Sequence, residues 1–272
     1  MTHAAQQPFA VISNDPSVAP RPTPMSPPRL QPFRALRAFN RLMKDKEDTR
    51  QVFELMQALN GKSVVRGYRR LTATVEGGRI AYRRVELNGV LSNRAYLAAF
   101  APGTLGAAYR DFMRAEQLSA EGLAEISRES LQRVGVMIEM EHPVAWYGRR
   151  IRDCHDIWHV LTGYGRDALG ELSLVAFSYA QTRSLGWALI AVGGSLRALR
   201  HNPDGLRVIR AVREAYRRGK AAAWLPGEDV EALFAMPLEV VRKRLNLAQP
   251  PAAYLAVPED ERDGAFAKPA MA

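Results

Sequence analysis

Apolar side chains recur every three or four residues along most of this 272-residue chain. The spacing is clear in PFRALRAFNRLMKDK (32–46), TRQVFELMQALNG (49–61) and LGAAYRDFMRAEQL (105–118), and again in GLRVIRAVREAYRRGKAAAW (205–224) and PLEVVRKRLNL (237–247). A period near 3.6 residues indicates amphipathic α-helices whose apolar faces meet in a common core. The pattern therefore predicts an all-α protein.

The remaining segments differ in how clearly they can be assigned. Residues 63–93 suit either a hairpin around their Gly-Gly pair or a short helix, and we favour the helix. The segment SAEGLAEISRESLQRVGVMIEM (119–140) has the pattern of a capped amphipathic helix. Pro143 permits the start of a helix that ends at the turn GYG (163–165), and the next helix is expected from about residue 167 to 190.

The two ends of the chain differ in composition from the rest. Eight of the seventeen prolines lie in residues 1–32, which is typical of a disordered segment. Residues 249–272 are rich in Pro, Ala and Asp and predict a flexible tail. The rest, residues 33–248, shows no internal repeat, and with 47% hydrophobic residues in the chain it is long enough to form one helical domain with its own core.

The chain lacks signs of secretion or of a membrane span. Its single cysteine, Cys154, excludes an intramolecular disulfide framework, as expected in a reducing compartment such as the cytoplasm. The head, residues 1–32, lacks the apolar core of a signal peptide. The longest apolar stretch, SLGWALIAVGGSL (184–196), is too short and too rich in glycine to cross a bilayer. We therefore expect a protein that is not integral to a membrane.

The formal net charge of +10 suits nucleic acid, an anionic membrane surface or acidic small molecules as partners. The arginines are spread over helical patterns without an aromatic-interleaved basic cluster or zinc-finger spacing, so we expect no nucleic-acid partner. Four arginines at about three-residue spacing on one predicted helix suit an anionic membrane surface. They are Arg207, Arg210, Arg213 and Arg217.

Candidate chemistry is concentrated in RDCHDIWHVLTGYGRDALGE (152–171). Each helical residue advances by about 100°, so His155, Asp156 and His159 fall within one arc, where two imidazoles can bind one ion. If the next helix folds back, Glu171 in its second turn becomes a fourth ligand. Two nitrogens and two carboxylate oxygens suit zinc, and they also suit Fe(II), Mn(II) or Co(II). The alternative for an HxxxH pair is two half-buried histidines that bind no metal.

The same segment resembles the Coq4 family of coenzyme Q (ubiquinone) biosynthesis proteins. HDIWHVLTGYGRDALGE (155–171) matches every position of the family's HDxxH-x11-E motif. Three further stretches are similar to the family: DKEDTRQVFELMQALNG (45–61), APGTLGAAYRDFMRAEQL (101–118) and AYRRGKAAAWLPGEDVEALFAMPLEVVRKRL (215–245). The resemblance covers about residues 36–247.

The resemblance implies a helical fold with one divalent metal, usually taken to be zinc, held by the residues that match His155, Asp156, His159 and Glu171. It implies a hydrophobic channel beside the metal for a polyprenyl tail, contact with a membrane surface, and membership of an assembly of ubiquinone-making enzymes. The implied reaction removes the carboxylate from C1 of a prenylated hydroxybenzoate ring and puts a hydroxyl in its place. The alternative is a non-catalytic, lipid-binding scaffold that organises the pathway enzymes.

Two sets of residues are candidates for contacts with such a substrate. One of Arg149, Arg150 and Arg152, within two turns before His155, could pair with the substrate carboxylate. Apolar residues of the next predicted helix could line the channel; the candidates are Leu174, Phe177 and Trp187. We expect the protein in the bacterial cytoplasm, bound peripherally to the inner membrane, and leave open whether it forms a homo-oligomer.

Other protein classes with histidine-bearing helices fit less well. A phosphohydrolase of the HD type needs a further upstream histidine, for which His142 and His3 are poor candidates, and a distant aspartate. A zinc protease would have glutamate in place of Asp156, and a ferritin-like di-iron protein needs two Glu-x-x-His repeats that the sequence lacks. Zinc cannot change oxidation state, so an oxidative reaction beside zinc requires oxygen or another oxidant to react with the substrate directly.

Overall fold

The fold is helical throughout the residues that the structure describes. A computed structural model of the chain describes residues 29–43, 48–59, 61–116, 142–202 and 204–266, and the regular elements within these ranges are α-helices and short 3-10 helices. The prediction of an all-α, single-domain protein is therefore confirmed. The proline-rich head up to residue 28 and the helix predicted over 119–140 lie outside the described residues.

The described helices lie on both sides of the gap at residues 117–141. In chain order they are α1 (Pro32–Leu42), α2 (Thr49–Leu59), α3 (Gly61–Thr72), α4 (Val75–Arg83), α5 (Leu87–Leu91), α6 (Arg94–Ala98), α7 (Leu105–Ala115), α8 (Pro143–Asp153), α9 (His155–Thr162), α10 (Ala168–Thr182), α11 (Leu185–His201), α12 (Gly205–Ala221), α13 (Val230–Leu233), α14 (Leu238–Arg244), α15 (Ala252–Leu255) and α16 (Glu259–Arg262). Two 3-10 helices, Leu225–Gly227 and Asp263–Phe266, complete the set.

Helix α10 forms the centre of the main core and packs against both α11 and α12. Its apolar side chains, among them Leu172 and Phe177, are buried around most of its circumference. A helix that is apolar on nearly all sides has to lie inside the protein. The amphipathic α12 packs against α10 and buries small residues such as Ala211 and Ala215, while its four striped arginines are exposed.

A second, smaller core lies where α3, α4 and α8 meet. It consists of Leu71, Ile80, Ala81, Trp146 and Tyr147. The indole N–H of Trp146 donates to the backbone carbonyl of Val85 at 3.1 Å, which satisfies the polar atom of a buried ring. This cluster anchors α8, the helix that leads into the candidate site.

The ambiguous segment 63–93 is helical, as we favoured. The hydroxyl of Thr74 accepts a hydrogen bond from the backbone N–H of Gly77 at 3.0 Å and so caps α4. The cap places the Gly-Gly pair inside α4 rather than in a hairpin turn.

The helix predicted from Pro143 to the GYG turn is divided at Cys154. Helix α8 ends at Asp153, and α9 begins at His155. Cys154 keeps right-handed angles (φ −72°, ψ −11°), so the interruption is slight. The segment that bears the histidines is helical, as predicted.

The helix predicted from residue 167 to 190 ends earlier, at Thr182. Arg183 adopts a left-handed conformation (φ 56°), and its N–H donates to the carbonyl of Tyr179 at 2.9 Å. This is a left-handed helix cap, after which the separate helix α11 begins. The division was not predicted because Arg183 is neither glycine nor asparagine, the residues that usually adopt this conformation.

The segment after residue 249, expected to be a flexible tail, differs from that expectation as far as residue 266. It contains α15 and α16, and Tyr254 and Val257 are buried against the domain. The backbone N–H of Ala253 donates to the carboxylate of Glu214 on α12. The few apolar residues of this segment gave no helical periodicity, so the packing could not be read from the pattern.

Candidate metal centre

Two helices and the turn between them position the candidate ligands. Helix α9 ends where Gly163 takes up a left-handed conformation (φ 78°), and the Gly163 N–H donates to the carbonyl of His159 at 2.9 Å. Helix α10 begins where the carboxylate of Asp167 accepts the N–H of Gly170 at 2.8 Å. A side chain at Gly170 would collide with the backbone of Gly165, so glycine allows the turn to fold tightly onto α10.

The structure brings the four predicted ligands into one cluster. His155, Asp156 and His159 each offer one ligand atom, and these atoms lie within 4.8 Å of one another. Glu171 approaches from α10: its Oε2 lies 3.5 Å from Nε2 of His155, and its Oε1 lies 3.5 Å from Nε2 of His159. The two imidazoles therefore face one carboxylate across a gap, and Asp156 lies beside them on their own helix.

His159 has a ligand atom that no group of the described residues uses. Its ring is buried, and Nδ1 lies 3.0 Å from the carbonyl oxygen of Tyr164. A carbonyl only accepts hydrogen bonds, so Nδ1 carries the proton and Nε2 of the neutral ring keeps a lone pair. Nε2 has no hydrogen-bond partner among the described residues. An unused lone pair suits a metal ligand, whereas a buried histidine of the core would normally be hydrogen-bonded.

The distances to Glu171 also fit an ion better than a hydrogen bond. Both N···O distances are 3.5 Å, and N–H···O hydrogen bonds are about 2.7–3.2 Å long. Two ligand atoms on a tetrahedral zinc, each bonded at about 2.0–2.1 Å, are separated by about 3.4 Å. The residues present therefore fit a divalent ion. Imidazole and carboxylate ligands do not distinguish zinc from iron, manganese or cobalt.

Glu171 and His155 stabilise each other's charged forms. Burial disfavours the ionised carboxylate, but the two imidazoles that face it, those of His155 and His159, outweigh burial and hold the pKa of Glu171 well below its usual range. Burial also opposes the imidazolium, but Glu171 outweighs it and raises the pKa of His155. Arg166 adds a positive charge, with its Nε 3.3 Å from the Glu171 carboxylate. Glu171 is thus held as an anion, the form that binds a cation.

Two aromatic rings enclose the histidines. Phe112 of α7 stacks on His159 with ring centroids 5.6 Å apart and 23° between the planes, and Trp187 of α11 stacks on His155 at 6.2 Å and 11°. Apolar rings beside metal ligands limit water access and strengthen electrostatic interactions. The sequence suggested Trp187 only as a channel residue. It gave no signal for Phe112, because no spacing rule links a phenylalanine to a distant histidine.

The three candidate arginines before His155 have carboxylate partners inside the protein. Each forms an ion pair: Arg149 with Glu86, Arg150 with Glu231, and Arg152 with Asp153. A substrate carboxylate would first have to displace the carboxylate of the protein. The structure therefore gives no support to the hypothesis that one of these arginines binds the substrate.

Two of the three channel candidates lie in the packed core. Leu174 and Phe177 are fully buried, and Phe177 packs edge to face against Trp158 of α9 with ring centroids 6.4 Å apart. These positions do not agree with the prediction that both residues line a lipid channel, since an apolar stripe on a central helix serves the core. Trp187 is only partly buried and lies against His155.

Known proteins are similar to this chain in sequence. The family model described as coenzyme Q (ubiquinone) biosynthesis protein Coq4 matches residues 33–251. The ubiquinone biosynthesis protein COQ4 homolog, mitochondrial, of Danio rerio is 26% identical over 183 residues, which are 66% of this chain and 63% of that protein. The ubiquinone biosynthesis protein COQ4, mitochondrial, of Ajellomyces capsulatus is 30% identical over 106 residues, which are 39% of this chain and 35% of that protein. The match therefore spans less than two thirds of either relative.

A solved structure shares the fold. A crystal structure of a Nostoc punctiforme protein matches 81% of this chain and 100% of its own chain with a TM-score of 0.60, at 20% sequence identity. At this identity the likeness shows the fold alone. The family model, in contrast, spans most of this chain and covers the turn and both helices of the candidate centre. The chain belongs to the Coq4 family of coenzyme Q (ubiquinone) biosynthesis proteins.

Proposed function

We propose that this protein acts in ubiquinone biosynthesis as a metal-dependent enzyme on a polyprenylated hydroxybenzoate precursor. The proposed reaction removes the C1 carboxylate of the ring and puts a hydroxyl in its place. The family and the names of the relatives support the pathway. The observation that carries the chemistry is the unused lone pair of the buried His159, which faces Glu171 across a gap of the size of an ion.

We propose His155, Asp156, His159 and Glu171 as ligands of one divalent ion, with zinc as the first choice and Fe²⁺, Mn²⁺ or Co²⁺ as alternatives. When bound, such an ion supplies a Lewis acid that can hold a carboxylate beside a phenol and stabilise negative charge on the ring. Replacing the carboxylate by a hydroxyl is a two-electron oxidation that releases carbon dioxide. The balanced reaction therefore consumes oxygen or another two-electron oxidant.

The residues around the ligands orient them and shape the adjacent space. The carbonyl of Tyr164 keeps the proton on Nδ1 of His159. Phe112 and Trp187 stack on His159 and His155 and limit the access of water to the two rings. Arg166, partly exposed beside the site, provides a positive charge that attracts an anionic substrate.

We also propose that the protein binds peripherally to an anionic membrane surface, which in bacteria is the inner membrane. Among the described helices, none combines enough length with enough apolar character to traverse a bilayer. Apolar side chains are nevertheless exposed, namely Phe33 and Leu36 on α1 and Val192 and Leu196 on α11. Exposed apolar residues together with the exposed arginines of α12 suit a membrane surface. There the prenyl tail of the precursor and the other pathway enzymes are the expected partners.

Lipid analysis of a strain whose sole copy carries His159→Ala tests the proposed reaction. We expect precursors that still carry the ring carboxylate to accumulate, while the other pathway proteins stay at normal levels. Mass spectrometry of lipid extracts and immunoblots measure these two quantities. His142→Ala is the matched control, because His142 caps α8 through its ring and lies outside the ligand cluster. It should leave ubiquinone unchanged.

The two other outcomes are distinct. Unchanged ubiquinone in the His159→Ala strain would contradict the proposed enzyme. Loss of the other pathway proteins, with accumulation of the earliest precursor, would indicate the alternative function of a non-catalytic scaffold that organises the biosynthetic enzymes.

A further inference from the structure

The turn between α9 and α10 determines how two of the proposed ligands lie relative to each other. The carbonyl of Tyr164 orients the ring of His159, and the carbonyl of Asp167 accepts the backbone N–H of Glu171 at 2.9 Å. Both ligand residues thus make a hydrogen bond to the turn itself. A shift of the turn would therefore move His159 and Glu171 relative to each other.

Tyr254, from the C-terminal segment, holds this turn at two points. Its phenol oxygen accepts the backbone N–H of Gly165 at 3.1 Å and donates its proton to the carboxylate of Asp167. Asp167 uses its other carboxylate oxygen to cap α10. One hydroxyl group therefore connects the middle of the turn to the start of the helix that carries Glu171.

The phenol of Tyr254 is itself fixed by its surroundings. The ring is buried and packs edge to face against Tyr164, with centroids 5.5 Å apart. The guanidinium of Arg262 lies 4.5 Å from the centroid of the Tyr254 ring. Asp263, the next residue, accepts the backbone N–H of Ala168 at 3.1 Å, so a second residue of the C-terminal segment contacts the start of α10.

Arg218 of α12 connects the beginning of the C-terminal segment to the ligand helix. Its guanidinium donates to the carbonyl of Thr162, at the end of α9, at 3.1 Å and to the carbonyl of Gln249 at 2.8 Å. Residues 249–263 are thus attached at both ends to the two helices that carry the ligands. Tyr254 lies between these attachments and contacts the turn directly.

We propose that Tyr254 is a positioning residue of the metal centre and acts on His159 and Glu171 through Gly165 and Asp167. This inference rests on the metal binding proposed above. Residues that orient metal ligands through hydrogen bonds, without binding the metal themselves, typically contribute about 10- to 100-fold to metal affinity. The hydroxyl of Tyr254 is the group of the C-terminal segment that joins both halves of the turn, so its removal should loosen the ligand geometry.

Titration of the metal-free, full-length protein with Co²⁺ tests this role. We expect Tyr254→Phe, which removes the hydroxyl and keeps the ring, to bind Co²⁺ about tenfold more weakly. We also expect an altered visible spectrum of the bound Co²⁺, because that spectrum reports ligand geometry. Tyr216→Phe is the matched control, since the hydroxyl of Tyr216 accepts a hydrogen bond from Arg183 on another part of the surface. It should keep the affinity and the spectrum of the wild type.

Asp263→Ala provides a second variant if Tyr254→Phe does not fold. Asp263 is exposed, so the substitution removes its contact with Ala168 without opening the core. We expect a smaller loss of Co²⁺ affinity, about threefold, because one attachment of the segment is lost while Tyr254 stays in place.

The outcomes separate the positioning role from the metal centre itself. Equal affinities and spectra for the wild type, Tyr254→Phe and Asp263→Ala would overturn the positioning role and leave the metal centre intact. An equal loss in Tyr216→Phe would also overturn it, since the effect would then be general. A wild-type protein that binds no Co²⁺ would overturn the proposed metal centre, and the positioning role with it.

Discussion

Two buried clusters of charged and polar groups in this protein differ in how fully their polar atoms are hydrogen-bonded. The guanidinium of Arg150 makes two hydrogen bonds to the carboxylate of Glu231, at 2.9 and 3.2 Å, and a third to a backbone carbonyl. The ring of His159 donates from Nδ1 to the carbonyl of Tyr164, but its Nε2, 3.5 Å from Glu171, has no hydrogen-bond partner in the part of the chain that the structure describes. The first cluster is satisfied by the protein alone, whereas the second keeps a ligand atom that an added cation can use.

This difference distinguishes a cluster that is paired within the fold from the proposed metal centre. Burying a charge costs free energy, which complete pairing and hydrogen bonding have to offset, and Arg150 meets that requirement. Its place in the sequence suggested a functional role, because it lies in the helix just before His155. The pairing of its guanidinium with Glu231, rather than its distance from the motif, favours a structural role.

Removing Glu231, the partner of Arg150, should cause the largest change among the variants that test this comparison, and the change should be in stability. Glu231→Ala leaves a buried guanidinium unpaired, and we expect it to lower the free energy of unfolding by about 3 kcal/mol or more, measured by urea denaturation. Glu239→Ala is the control. It removes the partner of Arg242 in an exposed pair and should cost less than about 1 kcal/mol. Equally small losses in both variants would show that the Arg150 cluster is not structural.

Changing Glu171 should affect metal binding and leave the fold in place. Glu171→Gln keeps the shape of the side chain but removes its charge, so we expect the affinity for Zn²⁺ to fall by at least about 100-fold. The free energy of unfolding of the metal-free protein should change by less than about 1 kcal/mol. Competition with a chromophoric chelator and urea denaturation measure the two quantities. Unaltered Zn²⁺ affinity combined with a large loss of stability would show that Glu171 serves the fold rather than metal binding.

Phe112 tests whether the enclosure of His159 contributes to metal binding. Phe112→Leu keeps an apolar side chain but removes the ring that stacks on His159. We expect Zn²⁺ affinity to fall about fivefold, from the loss of an aromatic contact worth about 1 kcal/mol, as measured by calorimetric titration. Phe100→Leu removes a ring that packs against Phe234 and Tyr96 instead, and it should bind as the wild type does. Identical losses in the two variants would argue against a specific role of Phe112.

The smallest expected effect is the pH dependence of the free energy of unfolding that arises from Glu171 and His155. The pKa of Glu171 is lower in the folded protein than the value of about 4.3 in the unfolded chain, so this group stabilises the fold at pH values above about 4.3. The stabilisation is lost as the pH falls through the pKa of Glu171 in the folded protein. The pKa of His155 is higher in the folded protein than the value of about 6.5 in the unfolded chain, so this group stabilises the fold at pH values below about 6.5. The stabilisation is lost as the pH rises through the pKa of His155 in the folded protein. Both contributions are present together between about pH 4.5 and 6.5.

The metal-free wild type should therefore exceed Glu171→Gln in stability by the largest amount in that window. We expect less than about 1 kcal/mol, because the Glu171 side chain is partly exposed and solvent screens its interactions. Urea denaturation of both proteins across the pH range measures the difference. A difference that grows above pH 7 would show the wrong sign for the His155 contribution.

The helices and the proposed ligands depend on short-range pattern, and the sequence predicts them. Apolar periodicity indicates the all-α fold, and helical spacing places His155, Asp156 and His159 on one face. Glu171 follows because a short turn returns the next helix to the first. The sequence also predicts that this turn contains Gly163, which ends α9 with a left-handed residue.

The surroundings of the site depend on contacts between distant segments, and the sequence does not predict them. Phe112 and Tyr254 reach the site from α7 and from the C-terminal segment, and neither belongs to a motif. The break at Arg183 comes from a left-handed residue that is not glycine. Leu174 and Phe177 show that a clear pattern can also mislead. A stripe of apolar residues has the same pattern whether it lines a channel or fills a core.

The claim that this cluster binds a divalent ion is tested most directly by metal content. Purified full-length protein would be equilibrated with Zn²⁺, freed of unbound metal by gel filtration and analysed by mass spectrometry of the element, for the wild type, His159→Ala and His142→Ala. We predict about one equivalent of zinc per chain in the wild type and in His142→Ala, and almost none in His159→Ala. A wild type without zinc, or a His159→Ala variant with as much zinc as the wild type, would contradict the claim.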